Sequence, residues 1–300
     1  MRKINVKFYK GIYYLLCAFL IISCANEDTV KPIDLFQEEE SKDELDIFLK
    51  EEFRDPYGSN IIYKFVDLYI DPADKATPPR REVVKPIAEL IKQAWIAPYS
   101  AASDQGEAFM KRYFPAEIII LGSPIYNGDG TITLGIADSG VRVTLTQAND
   151  YAPGNVGWIQ QTFRTLHHEF AHIVDQNFNF EDLPYFQISE GSYTSPGTWS
   201  LENSTSAIEK GMVSPYGTSA VAEDFAEMVA FMITTPPDEF ATTYLNQIDC
   251  SDSSAPANCV ELNEGKRRIQ EKYNLIVEYM ASDVGIDILK LRDEFLKTLN

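Results

Sequence analysis

The sequence predicts an α+β fold in two lobes: a small mixed sheet and one long helix in the first lobe, mainly helices in the second. Three observations predict it. Runs rich in β-branched and aromatic residues crowd the first half, at Asn60–Tyr69, Glu117–Leu121, Thr131–Ala137 and Val141–Thr146. From Trp158 to Phe180 no Pro or Gly interrupts a stretch in which Phe163, Leu166, Phe170, Ile173 and Val174 recur at helical spacing. After it come only helical patterns, at Val221–Ile233, Glu271–Met280 and Ile286–Leu299.

The chain opens on a targeting segment rather than on the fold. Arg2, Lys3, Lys7 and Lys10 precede an apolar run from Ile12 to Ile22, of signal-peptide length and short for a membrane span. The run ends in Ile21-Ile22-Ser23-Cys24, which resembles the lipobox of bacterial lipoproteins. The resemblance implies cleavage after Ser23, acylation of Cys24 and attachment to a membrane through the lipid; an ordinary signal peptide with an incidental Cys is the alternative. Residues 24–43 are polar and acidic, with Glu38-Glu39-Glu40 in the middle, and read as a tether. Glu27 and Asp28 resemble the export signal of surface lipoproteins, so the expected location is the bacterial outer membrane, at the cell surface or the periplasmic face. The chain carries a formal charge of −19, roughly −23 without the four N-terminal cations. Such a surface repels nucleic acid and anionic lipid.

The folded part is expected over 44–300, with a first lobe over about 44–180 and a second over about 181–300. Asp43–Phe53 reads as a short helix and Asn60–Tyr69 as a strand. Arg81–Trp95 carries Val84, Ile87, Leu90, Ile91 and Trp95 at helical spacing. Phe109–Tyr113 reads as a second short helix and Glu117–Leu121 as a buried strand. Asn127-Gly128-Asp129-Gly130 is a tight-turn signal. Thr131–Ala137 and Val141–Thr146 then pair as a hairpin or as neighbouring strands. Glu181–Ser206 is irregular, and a functional rim or short helices would account for its length. Cys250 and Cys259 bracket a polar loop, and in an oxidising compartment they form a disulfide.

Within the long helix lies His168-Glu169-Phe170-Ala171-His172. Residues four apart share a helical face, so both imidazoles can grip one metal ion, and Glu169 can reach a water beside it. The three histidines of the chain all lie in this segment. His167 points elsewhere on the helix. A catalytic zinc takes three protein ligands. With no further His available, the third must be a carboxylate. Glu223 and Glu227 lie four apart on an otherwise apolar helix. One can bind the metal while the other orients a histidine.

A sheet leading straight into a metal-binding helix is the layout of a zincin's first lobe, where an edge strand often receives the peptide substrate. The stretch Thr131–Thr146 would supply that edge. The long metzincin pattern is excluded, since it needs Gly and His where this chain has Asp175 and Phe178. The pair of motifs, His168–His172 and Tyr216 followed by Glu223-Asp224-Phe225-Ala226-Glu227, resembles the catalytic domain of anthrax lethal factor and related gluzincin-type peptidases. The resemblance implies Glu223 as third zinc ligand, Tyr216 as donor to the developing oxyanion and Glu227 as support for a histidine. With the lipobox, the chain also resembles zinc metallohydrolase lipoproteins that accompany outer-membrane nutrient importers of the starch-utilisation type.

The expected function is therefore a membrane-anchored zinc metallopeptidase acting on peptides or proteins, with Glu169 as general base. Two rivals remain. One is a non-catalytic surface lipoprotein that captures glycan or peptide for an importer, using aromatics such as Tyr185, Phe186, Tyr193 and Trp199. The other is a zinc amidase acting on a different substrate.

Overall fold

The computed structural model describes residues 43–65, 70–127, 132–133, 135–138, 141–180, 182–195 and 197–299. The signal segment, the tether and the Asn127–Gly130 turn tip lie wholly or largely outside them. Helix α1 (Glu44–Leu49) starts where the Asp43 carboxylate accepts the Leu45 N–H at 2.9 Å, and runs on through a widened turn to Tyr57. Strand β1 (Asn60–Ile62) is shorter than the Asn60–Tyr69 run suggested. Helix α2 (Arg81–Ile91) continues through a widened turn at Lys92–Ile96 into Ala97–Ala101. It outlasts the expected end at Trp95 because Trp95, Ile96 and Tyr99 all find burial. Helix α3 (Gly106–Tyr113) follows.

Strand β2 (Glu117–Ile120) pairs parallel with β1 on one side and with β6 (Arg142–Leu145) on the other. Strand β5 (Gly135–Asp138) pairs antiparallel with β6, as a hairpin, and forms an edge of the sheet. The order is β1-β2-β6-β5. A separate small ribbon joins β3 (Ile125–Tyr126) to β4 (Ile132–Thr133). Alternation along β2 sends Ile118 and Ile120 into the main core and Ile119 to the opposite face, where it meets Leu121 and Ile125.

Helix α4 (Val156–Phe178) follows the sheet and lies against β5 and β6. Asn155 caps its start, accepting the Trp158 N–H at 3.1 Å. Asn179 ends it in the left-handed conformation. An aromatic layer behind it joins Phe170 edge-on to Trp95, Tyr99 and Phe109 at 5.5, 5.1 and 6.1 Å between ring centres.

The region read as irregular holds two short helices, α5 (Asp182–Ile188) and α6 (Ser204–Glu209), and a single turn at Trp199–Leu201. Neither helix is long enough to print a periodic pattern on the sequence. Helix α7 (Val221–Thr234) packs along α4. Helix α8 (Cys259–Tyr279) begins well before the expected Glu271, and α9 (Ile288–Lys297) closes the chain. Cys250 and Cys259 are joined, with 5.7 Å between their Cα atoms. Residues Asp43 to Asn300 form one compact unit. Among the described residues no helix is long and apolar enough to cross a membrane.

Candidate metal centre

Helix α4 is buried on most of its circumference, so its histidines are presented within the protein rather than on a free face. His167 and His168 diverge as neighbours on a helix must. His167 is fully buried beside the rings of Tyr99 and Phe295, at 5.8 and 5.4 Å. Neither of its nitrogens makes a hydrogen bond of good geometry, and burial lowers its pKa to about 3, a weak backbone interaction with Ala94 opposing this. His168 and His172, one turn apart, point to a common spot, with their Nε2 atoms 3.2 Å apart.

Helix α7 brings a carboxylate to the same spot. Glu223 Oε2 lies 3.1 Å from His168 Nε2 and 3.3 Å from His172 Nε2. All three candidate ligand atoms fall within 4.8 Å of one another. The Glu223 oxygen is buried and meets the two nitrogens at hydrogen-bond distance but not at hydrogen-bond angles. Two imidazole nitrogens and a carboxylate oxygen that converge on one spot, the oxygen buried with no hydrogen-bond partner, fit a cation at their centre. The electrostatics agree. Burial opposes charge on both His168 and Glu223, yet Glu223 and Glu227 raise the His168 pKa to about 10, and the two histidines hold Glu223 well below the usual carboxylate range.

Glu227, one turn along α7, approaches the other His168 nitrogen: its Oε1 is 2.8 Å from Nδ1, off the ring N–H axis. Ser214 donates its hydroxyl to the second Glu227 oxygen and accepts the Gly217 N–H at 3.1 Å. The same serine thus ties Glu227 to the turn Tyr216–Thr218. Tyr216 lies across the His168 ring at 5.7 Å. Burial, the negative charges of Glu223, Glu169 and Glu227, and contact with Glu223 push its phenol up to about 12, so it remains a hydrogen-bond donor at neutral pH. The negative charge of Glu169 acts on both His168 and Tyr216.

Residues 38–289 match a family model described as "Putative zinc-binding metallo-peptidase". The chain belongs to that family of zinc-binding metallopeptidases. A crystal structure of a putative zinc-binding metallo-peptidase from Bacteroides caccae is similar to it, with 28% identity and a TM-score of 0.69, covering 87% of this chain and 94% of that one. No curated protein matches. For a member of this family the cation is zinc, and His168, His172 and Glu223 are the group that can hold it.

Several contributors to this metallopeptidase site carry no local signal in the sequence. Ser214 sits in the quoted stretch but reads as a loop residue. Asp224, beside Glu223, is fully buried and accepts from Lys272 of α8 at 2.5 Å and from Tyr193 at 2.8 Å. Tyr185 donates to the Asp224 carbonyl at 3.2 Å and is fully buried. Phe186 stacks on Tyr193 at 5.7 Å. Tyr185, Phe186 and Tyr193 therefore support the helix that presents Glu223. Trp199 differs: it is half-buried and stands edge-on to Tyr216 at 5.0 Å. Cys24 lies outside the described residues.

Proposed function

We propose that this protein is a zinc metallopeptidase that hydrolyses peptide bonds, held to the bacterial outer membrane by lipid on Cys24. The observation that carries the catalytic reading is the convergence of His168, His172 and Glu223, with Tyr216 against the His168 ring. The anchoring rests on the lipobox resemblance, and a place beside a nutrient importer rests on the likeness to importer-associated lipoproteins.

Zinc held there supplies a Lewis acid that activates water and polarises the substrate carbonyl. The protein's own groups do the rest. Glu169 removes a proton from the attacking water as the water oxygen bonds to the carbonyl carbon. The Tyr216 hydroxyl donates to the oxyanion that develops on the carbonyl oxygen. As the C–N bond breaks, Glu169 returns the proton to the departing amine nitrogen. Glu227 and Ser214 fix the orientation of the His168 ring. The edge strand β5 beside α4 offers backbone groups along which an extended substrate can lie.

The reading as a glycan-capturing protein is weakened by the burial of Tyr185 and by the commitment of Tyr193 to Asp224. The test is hydrolysis of a peptide mixture by the zinc-loaded protein beside Glu169→Gln. Cleavage by the parent and its loss in the variant are expected. Equal cleavage by both would remove Glu169 from the reaction.

A further inference from the structure

Beside Tyr216 the site carries an apolar rim that the steps above leave unused. Trp199 and Leu201 sit two residues apart on one turn, preceding α6. The Trp199 ring stands at 78° to that of Tyr216, and Leu201 is 84% exposed. Tyr216 itself is 36% exposed, so the Trp199–Tyr216 ring pair borders the metal centre on one side and solvent on the other.

This rim is rigidly built. Thr194 binds the Tyr216–Thr218 turn through its N–H, 2.8 Å from the Thr218 carbonyl, and through its hydroxyl at 3.1 Å. Backbone bonds from Leu201 to Thr198 and from Glu202 to Trp199, each 3.0 Å, close the Trp199 turn. Asn203 and Ser206 cap each other at the start of α6, and Glu202 accepts from Ser206 at 2.7 Å and pairs with Lys210. Large apolar side chains held fixed and exposed next to a reaction centre are the composition of a binding subsite.

The occupant follows from where the rim stands. A substrate carbonyl that meets the Tyr216 hydroxyl has the side chains of its two flanking residues beside that ring, within reach of Trp199 at 5.0 Å from it. An apolar side chain sheds hydrated surface against the Trp199 ring, whereas a carboxylate placed there would be stripped of water. We propose that Trp199 forms an apolar subsite for the side chain adjoining the scissile bond, so that the enzyme selects large apolar residues there over acidic ones. The inference rests on the peptidase reading.

The test compares kcat/KM of the zinc-loaded protein on quenched fluorescent peptides carrying Phe, Leu, Gly or Asp at each position flanking the cleaved bond. The parent is expected to favour Phe or Leu over Asp by roughly ten- to hundredfold at one of them. Trp199→Ala should bring that ratio to within about threefold and Trp199→Phe should keep most of it, both with bound zinc unchanged. A ratio unaltered in Trp199→Ala, or an equal loss on every peptide, overturns the subsite while leaving the peptidase standing. Cleavage of none of the peptides by the parent overturns both.

Discussion

Asp224 accepts a hydrogen bond from Lys272 at 2.5 Å, with both side chains removed from solvent, one residue along α7 from Glu223. Lys272 also donates to the Gly211 carbonyl at 2.8 Å, and its ammonium stands over the rings of Tyr185 and Tyr193. The pair crosses from α8 to the first turn of α7 and so fixes the rotation of the helix that presents Glu223. Asp224→Ala would strand a buried ammonium. Lys272→Met or Asp224→Asn alone should cost about 3–5 kcal/mol in urea unfolding, whereas the double variant should recover much of that loss. Additive losses would show that the two groups do not act as a pair.

Zinc content separates the roles of the two glutamates on α7. Glu223→Ala removes an atom of the converging set and should abolish stoichiometric zinc. Glu227→Ala removes only the support behind His168 and should weaken affinity by about 10- to 100-fold. Mass spectrometry of the purified variants decides; equal retention in both would reassign the third ligand. The binding should also depend on pH. With a metal-free pKa of about 10, the His168 ring is protonated at neutral pH and must release that proton when zinc binds. Affinity should therefore rise about tenfold per pH unit from 6 to 8, from this proton alone. A flat profile in a competition titration would show that no proton leaves.

Much of the centre was legible because its chemistry is local. His168 and His172 need only a helix between them, and the Phe163–Val174 periodicity supplies one. The apolar helix around Glu223 and Glu227 marked both as candidates, and the resemblance to lethal-factor-type peptidases pointed to Glu223 of the two. What the sequence could not show depends on contacts across long stretches. Lys272 is 48 residues from Asp224, and no periodicity marks a lysine as buried rather than solvated. The parallel pairing of β1, β2 and β6 joins strands separated by helices. Helix α5 is shaped by Tyr185 reaching Asp224, a tertiary contact that leaves no trace in local propensity.

Glu169→Gln and Tyr216→Phe should both keep zinc, since neither atom set belongs to the converging ligands. The first removes the proton acceptor and should lower kcat by about 10²–10⁴-fold. The second removes one donor to the oxyanion and should lower kcat by about 10²–10³-fold with KM little changed. An unaltered kcat in Tyr216→Phe would take that residue out of the reaction.

His167 lies outside the converging ligand set, packed between the Tyr99 and Phe295 rings. It is neutral in the folded protein down to about pH 3, while in the unfolded chain it takes up a proton near 6.5. Above pH 6.5 both states hold the neutral ring, so it adds no pH dependence. As pH falls below 6.5 the unfolded state binds the extra proton, and folding stability drops until about pH 3, by an amount on the order of 4–5 kcal/mol. His167→Phe suits the surrounding Tyr99 and Phe295 rings and cannot be protonated. Denaturant unfolding of the metal-free proteins from pH 7 to 4 should show the parent losing stability relative to this variant, with the gap widening as pH falls. A constant gap across that range would mean that the buried ring finds a proton acceptor when charged.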